Sequence, residues 1–459
     1  MTQKAHSLSA IDLALFVLET PERMSNIGPL AILKPPPRTR NPGAYADRLL
    51  RDMKKRPVGA PFNRVYHPPG LKDLPKLVTI DDIDLDVHCH RHTLPAGSSD
   101  EDLMVFVCRL HEPMLDRSRP PWEFHIIDGL QGGRIALYGK VHHGIIDGRG
   151  FVEVCTRWFQ ADAANKDVRA MWEGLPQPRS AAAAHKAAKT RLHSATQQAV
   201  QATRTLASLY AGLARQALAT TGLAPGMPLP FFGTSSDLGG KPSVQRILAH
   251  CKLPLKAVKA FGKGHHASVN DVLLTVLDMA LNRYLRAKGR SGKALPLVAD
   301  MPVALSSGTG GNAIAVLQFH LGAAGASPLE RLAQIKQRTG EVKEHVRRTD
   351  ASALITYTAA VHAIPAMLET LRVPKAPTLA NAIISNPFGM PYRAYLAGAE
   401  LEMILPVSML VPGQSLNITA VTYAEHLQIA FLGLEAQMPD IGELATFATE
   451  AFAELRQAA

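Results

Sequence analysis

Between Gly174 and Ser236 the chain carries no aspartate or glutamate, while Arg179, Lys186, Lys189, Arg191, Arg204 and Arg215 supply its charge. From Ser180 to about Gly222 the stretch is rich in alanine and free of proline, which predicts one or two long helices. Pro176-Gln177-Pro178 precede it and Pro225-Gly226-Met227-Pro228 follow, so it reads as a crossover between two folded units. A chain of 459 residues is too long for one hydrophobic core, in keeping with that division. The expected organisation is an N-terminal lobe over 1–165, a basic helical connector over 166–240 and a C-terminal lobe over 241–459.

Helix and strand patterns mix on both sides of the connector. Ile27 to Leu33 is an apolar strand candidate that stops at Pro35-Pro36-Pro37, where ladder donors vanish. Glu101 to Leu115 is expected to be helical, with Leu103, Val107, Leu110 and Met114 on one face. Trp122 to Ile127 and Arg134 to Val141 read as strands around a turn from Asp128 to Gly133. In the second half Ser268 to Leu285, Leu329 to Val346 and Ile441 to Leu455 are helical. Pro296 to Leu305, Ala313 to Phe319, Leu416 to Thr422 and Leu427 to Leu432 are strands. This mixture predicts α/β (α+β) lobes rather than a bundle or a sandwich.

The 46% hydrophobic and 19% charged composition is that of a globular protein. A net charge of +11 suits nucleic acid, an anionic membrane surface or a phosphorylated substrate. Only 6% of residues are aromatic and no recognition motif is present, which disfavours nucleic acid. Cys89, Cys108, Cys155 and Cys251 lie far apart with no C-x-x-C pair, which points to a reducing compartment without a zinc site or disulfide framework. There is no run of 18 apolar residues, and the N-terminus lacks the apolar core of a signal peptide. The expectation is a cytoplasmic protein, soluble or peripherally attached to a membrane.

The chemistry concentrates in His142-His143-Gly144-Ile145-Ile146-Asp147-Gly148, directly after the Arg134 to Val141 strand. A histidine at a strand end is held by rigid backbone, and its near-neutral pKa suits proton abstraction. Gly144 allows close approach of backbone or substrate, and Gly148 permits a positive φ just after Asp147. Asp147 either orders the loop through a distant arginine or orients a histidine directly.

These seven residues match the HHxxxDG motif of the coenzyme A-dependent acyltransferases, a superfamily that includes chloramphenicol acetyltransferase and peptide-synthetase condensation domains. The whole chain resembles the bacterial wax ester synthase/diacylglycerol acyltransferase family. The resemblance runs through Leu8-Ser9-Ala10-Ile11-Asp12, Leu18-Glu19-Thr20-Pro21, Pro120-Pro121-Trp122-Glu123 and Ser268-Val269-Asn270-Asp271 to Pro406-Val407-Ser408 and Leu416-Asn417-Ile418-Thr419. One segment departs: the family's SNVPGP stands here as Ser385-Asn386-Pro387-Phe388-Gly389-Met390, which alters the turn after Ser385 and Asn386. The resemblance implies two chloramphenicol acetyltransferase-like lobes with an active-site tunnel between them. It implies transfer of a long-chain acyl group from acyl-CoA, as co-substrate, to a fatty alcohol or diacylglycerol. His143 would be the general base and Asp147 would organise the site, with His142 packing or orienting the loop.

Asn270 either donates to the oxyanion or holds a neighbouring loop. Ser268 and Asp271 already form an S-x-x-D capping box, which accounts for them without catalysis. No covalent acyl-enzyme is required, and Gly413-Gln414-Ser415-Leu416-Asn417 lacks the last glycine of a nucleophile elbow. His88, His90 and His92 alternate on a possible strand, but no metal and no bound cofactor are expected. The acid-free segment either is a solvated basic face or holds the enzyme at an anionic membrane or lipid droplet. An acyl donor on a carrier protein is the alternative within the same chemistry.

Overall fold

The computed structural model describes residues 4–69, 75–175, 238–289, 297–305, 314–323, 325–373, 378–387 and 389–458, with isolated positions between 211 and 231. The first half folds as β1 (Ala5–Ser7), α1 (Ala10–Val17), β2 (Asn26–Lys34), α2 (Pro42–Met53), β3 (Arg64–His67), β4 (Lys76–Thr79), β5 (Cys89–Ser98), α3 (Asp100–His111), β6 (Trp122–Leu130), β7 (Ile135–His142) and α4 (Gly148–Trp158). The second half adds β8 (Arg246–Pro254), α5 (Leu255–Gly264), α6 (Val269–Ala287), β9 (Val298–Ala304), β10 (Ile314–His320), α7 (Pro328–Arg348) and α8 (Ala351–Thr370). It closes with β11 (Ala382–Ser385), β12 (Tyr395–Leu396), β13 (Ala399–Val407), β14 (Leu416–Tyr423), β15 (His426–Leu434) and α9 (Ile441–Gln457).

Local sequence sets the helix boundaries. Ser99 with Asp102, Ser268 with Asp271 and Ser327 with Glu330 form capping boxes at the starts of α3, α6 and α7. Helix α3 stops at His111, short of the expected Leu115. Pro113 has no N–H to continue the helix, and its ring crowds the carbonyl one turn back. The β14–β15 hairpin turns through Ala424, which takes a φ of 47°, and closes on the Tyr423–His426 pair.

Each lobe is built on a six-stranded sheet. The first has the order β12-β13-β2-β7-β6-β5, the second β10-β9-β11-β14-β15-β8, and β1-β4-β3 form a small third sheet. The two large sheets are not divided where the sequence is. Strand β13 pairs antiparallel with β2, from Val407 opposite Gly28 to Glu400 opposite Lys34, so the stretch assigned to the C-terminal lobe completes the first sheet. A shared core joins the lobes, with Leu30, Leu405 and Leu103 packing with Leu248 and Leu432. Most of the expected connector lies outside the described residues; within it, Trp172 stacks on Trp122 at 5.6 Å.

One gap in the first sheet faces the second lobe. The β2–β7 ladder passes Ile27 opposite Val141 and resumes only at Leu30 opposite Tyr138. Pro29 has no donor to give there, and a Cβ on Gly28 would come within 1.6 Å of the Gly139 carbonyl oxygen. Helix α8 is long and apolar enough by length and composition to cross a membrane, although serine, threonine and histidine interrupt it, so the absence of an 18-residue apolar run holds. Leu354, Tyr357 and Val361 of this helix pack against the second lobe.

Candidate active site

Strand β7 is buried along its whole length and delivers the histidine pair to the gap between the lobes. The backbone N–H of His143 donates to the Ser25 carbonyl at 2.8 Å, and that of Ile145 to the His142 carbonyl at 3.1 Å, which turns the chain. Asp147 then caps α4, its carboxylate accepting from the Gly150 N–H at 2.7 Å. This cap is neither of the two roles expected for Asp147: among the described residues it forms no ion pair with an arginine and no hydrogen bond to a histidine. Gly148 does not use the positive φ open to it: it opens α4, and a Cβ there would meet nothing within 4 Å.

His142 and its surroundings form a fixed group. The Gly144 N–H donates to His142 Nδ1 at 3.0 Å, so the neutral ring carries its proton on Nε2. Nε2 faces Glu19 at 3.5 Å, and neither side chain has solvent-exposed surface. The ring stacks on Phe16 at 3.9 Å, and Phe16 stacks on Tyr66 at 4.2 Å. A Cβ on Gly144 would sit 2.6 Å from the Phe16 ring, so only glycine lets this stack form. Burial alone would raise the Glu19 pKa, but His142, Arg117 and the Ser25 N–H together hold it below the usual carboxylate range. Burial pushes the His142 pKa down more than Glu19 raises it. Arg117 ion-pairs with the same carboxylate, so the charge-neutral reading is Arg117 cation, Glu19 anion and neutral His142.

His143 points the other way, into a cavity of about 800 Å³. Its Nδ1 is buried without a hydrogen-bond partner of good geometry, which leaves Nε2 as the nitrogen able to face the cavity. Burial lowers the His143 pKa, while the Asp147 charge and its own backbone carbonyl act in the opposite direction. The ring is therefore neutral at physiological pH, the form that accepts a proton. Both lobes wall the cavity: Ile27, Pro29 and Phe151 from the first, Pro302, Val316 and Ala366 from the second. Its size is that of a site for a drug-sized or larger apolar ligand.

The other expected residues separate into two groups. Ser385 and Asn386 line the cavity, and Gly389 brings the altered segment against β14, where a Cβ would meet the Thr422 carbonyl oxygen at 1.9 Å. Trp122, Asn270 and Asp271 are outside its wall. The Trp122 indole donates to the Phe62 carbonyl at 2.8 Å and braces the first lobe. Asp271 closes the capping box at the start of α6, accepting from the Ser268 N–H at 2.8 Å, and accepts from the Thr339 hydroxyl at 2.7 Å. The structure does not bring Asn270 together with His143; its amide approaches the Met301 sulfur at 3.9 Å. His92 pairs with His125 at 3.1 Å on β5 and β6, away from the cavity.

Sequence reasoning missed the polar groups opposite His143. His362 of α8 lines the cavity, with Nδ1 2.9 Å from the Thr358 carbonyl and Nε2 3.6 Å from the fully buried Asp300 carboxylate. Gln318 and Gln414 each donate to Asp300 at 2.6 Å. Burial would lower the His362 pKa, but Asp300 and the Thr358 carbonyl raise it overall. Arg23, also in the wall, binds Glu369 at 2.7 Å and 3.0 Å and the Gln414 carbonyl at 2.9 Å, tying the segment before β2 to the end of α8. No signal in the sequence joins positions 346 residues apart.

Two open-sheet lobes closing around a strand-end histidine define a bilobed acyltransferase of the kind that carries the HHxxxDG motif. Residues 8–273 match the wax ester synthase/diacylglycerol acyltransferase catalytic domain, and residues 310–456 match the C-terminal domain of the same family. The chain belongs to the wax ester synthase/diacylglycerol acyltransferase family. A probable diacylglycerol O-acyltransferase of Mycobacterium tuberculosis is 30% identical over 461 residues, covering 98% of this chain and 96% of that protein. The fold is shared with the wax ester synthase/diacylglycerol acyltransferase from Marinobacter aquaeolei, at a TM-score of 0.72 and 24% identity over 98% of this chain and 99% of that one. It is also shared with the first condensation domain of the calcium-dependent antibiotic synthetase, at a TM-score of 0.59 and 16% identity over 98% and 95% of the two chains.

Proposed function

We propose that this acyltransferase moves a long-chain acyl group from acyl-CoA to diacylglycerol or a fatty alcohol, with His143 as general base. The observation that carries this reading is the His143 ring in the wall of a large apolar cavity that both lobes enclose, where burial favours its neutral form. His143 Nε2 takes the hydroxyl proton as the alcohol oxygen attacks the thioester carbonyl. The tetrahedral intermediate then expels the thiolate, and the histidine returns the proton to sulfur. A thioester is already activated, so no acyl-enzyme is needed; a positioned base supplies about 10²–10⁴-fold. Gly148 and Arg149 open α4 at the cavity wall, so the positive end of that helix favours the developing oxyanion. His142, held by Glu19 and Gly144, fixes the turn that presents His143. Asn270, outside the wall, is assigned a supporting role through Met301. The acid-free basic segment would add attraction to an anionic membrane or lipid droplet.

The test is thiol release from palmitoyl-CoA with hexadecanol and dioleoylglycerol supplied separately, for the wild type and His143→Ala. Acceptor-dependent release that His143→Ala abolishes supports the reading, and the better acceptor names the product. Release from a carrier-protein thioester but not from palmitoyl-CoA would replace it with the carrier-dependent reaction.

A further inference from the structure

Helix α8 presents an outer face that an ordinary amphipathic helix would make polar. Ala360, Ile364, Met367 and Leu371 follow one another at helical spacing, all exposed, Met367 at 54% and Leu371 at 66%. Val17 and Leu18, at the end of α1 and packed beside α8, extend the same surface, with Val17 exposed at 61%. Six of the eight large apolar side chains exposed among the described residues lie on these two helix ends and their C-terminal flank. The one acid in the last turns of α8, Glu369, is turned inward onto Arg23 and the Gly413 N–H. Arg372, just beyond, and Arg149, at the start of α4, are exposed.

The patch is continuous with the cavity. Leu18 and Ala363 are exposed on the outside and line the cavity within. We propose that the outer faces of α1 and α8 are the enzyme's seat on a lipid surface, placing the cavity mouth where apolar substrate passes from the lipid to His143. The proposal rests on the reading of the acceptor as a lipid alcohol. The uncharged stripe inserts among acyl chains, and Arg372 and Arg149 meet phosphate groups at the headgroup level. The contact is chiefly apolar, so most of it survives high salt, unlike attraction through the basic segment.

The experiment is vesicle flotation of the full chain with phosphatidylcholine and phosphatidylcholine–phosphatidylglycerol vesicles at low and high salt, for the wild type and the double variant Met367→Glu, Leu371→Glu. Neither residue lines the cavity, so acyl transfer to a short-chain alcohol in solution stays unchanged and reports an intact fold. The expected result is salt-resistant binding by the wild type and at least a tenfold lower bound fraction for the variant, on the order of what burying two large apolar side chains supplies. Binding that ignores the substitutions and disappears in salt would assign the seat to the basic segment and overturn the proposal. A wild-type dimer that the substitutions dissociate would show instead that a second copy covers the patch. Absent vesicle binding with intact transfer to hexadecanol sinks the seat alone; absent transfer from folded wild type sinks the reading beneath it.

Discussion

Glu19 and His142 face each other at 3.5 Å with no solvent contact on either side chain, and Arg117 closes the group on the carboxylate side. A lone buried carboxylate would be costly; here three partners hold the charge. Glu19→Gln keeps the shape and removes the charge that Arg117 and His142 face. It should cost about 1–3 kcal/mol of stability and lower kcat more than it changes KM, because it acts through the loop that aims His143. Urea unfolding and steady-state kinetics on the same preparation measure both; a change confined to KM would contradict this placement.

The two glycines of the motif should behave in opposite ways. Gly144→Ala drives a methyl into the Phe16 ring, with an expected loss of about 1–3 kcal/mol and most of the activity. Gly148→Ala meets open space at the first turn of α4, so stability should hold. The added methyl projects beside the cavity and should slow the bulkiest acceptors first. A comparison of thermal midpoints and of rates with short and long alcohols separates the two effects.

As the proposed base, His143 acts when deprotonated, and burial holds its pKa below the ordinary histidine value of 6.5. The rate should therefore be flat above that pH and fall on acidification below it. Asp147 raises the His143 pKa, so Asp147→Asn, which preserves a good helix cap, should move the acid limb to still lower pH. A pH–kcat/KM profile of both enzymes checks the sign; a limb displaced upward in the variant would refute the electrostatic role.

His362 gives the reverse linkage. Its folded pKa is raised above 6.5 by Asp300, so its stabilising contribution is complete below 6.5 and fades as pH rises through the folded value. Asp300→Asn should remove that slope. It should also cost about 3–5 kcal/mol, since it removes one member of a buried ionic group. Denaturation midpoints across neutral pH measure it, and an unchanged slope would exclude the pair as its source.

Much of the fold is written locally. The apolar run that becomes β7 leads straight into His142, and the boxes at Ser99, Ser268 and Ser327 mark helix starts within a residue. The candidate site is legible as far as its rigid strand extends. What escaped depends on distance along the chain: Glu19 meets Arg117 and His142 across more than 90 residues, and Asp300 meets Gln414 across 114. Pairing of that kind leaves no periodicity. Gly148 has no need of the positive φ open to glycine, because a carboxylate cap on the Gly150 N–H lets the helix begin at once.

The pairing of β13 with β2 also bears on how the protein is made. Strand β7 ends at residue 142, yet the strand that covers the free edge of its neighbour β2 begins at residue 399. At a synthesis rate of about 5–20 residues per second, the sheet that carries the histidines waits roughly 13–50 s for its missing edge. Throughout that interval β2 offers bare backbone donors and acceptors to any passing strand. A chaperone-poor host should therefore lose this protein to aggregation on the ribosome before any weakness of the finished fold is felt.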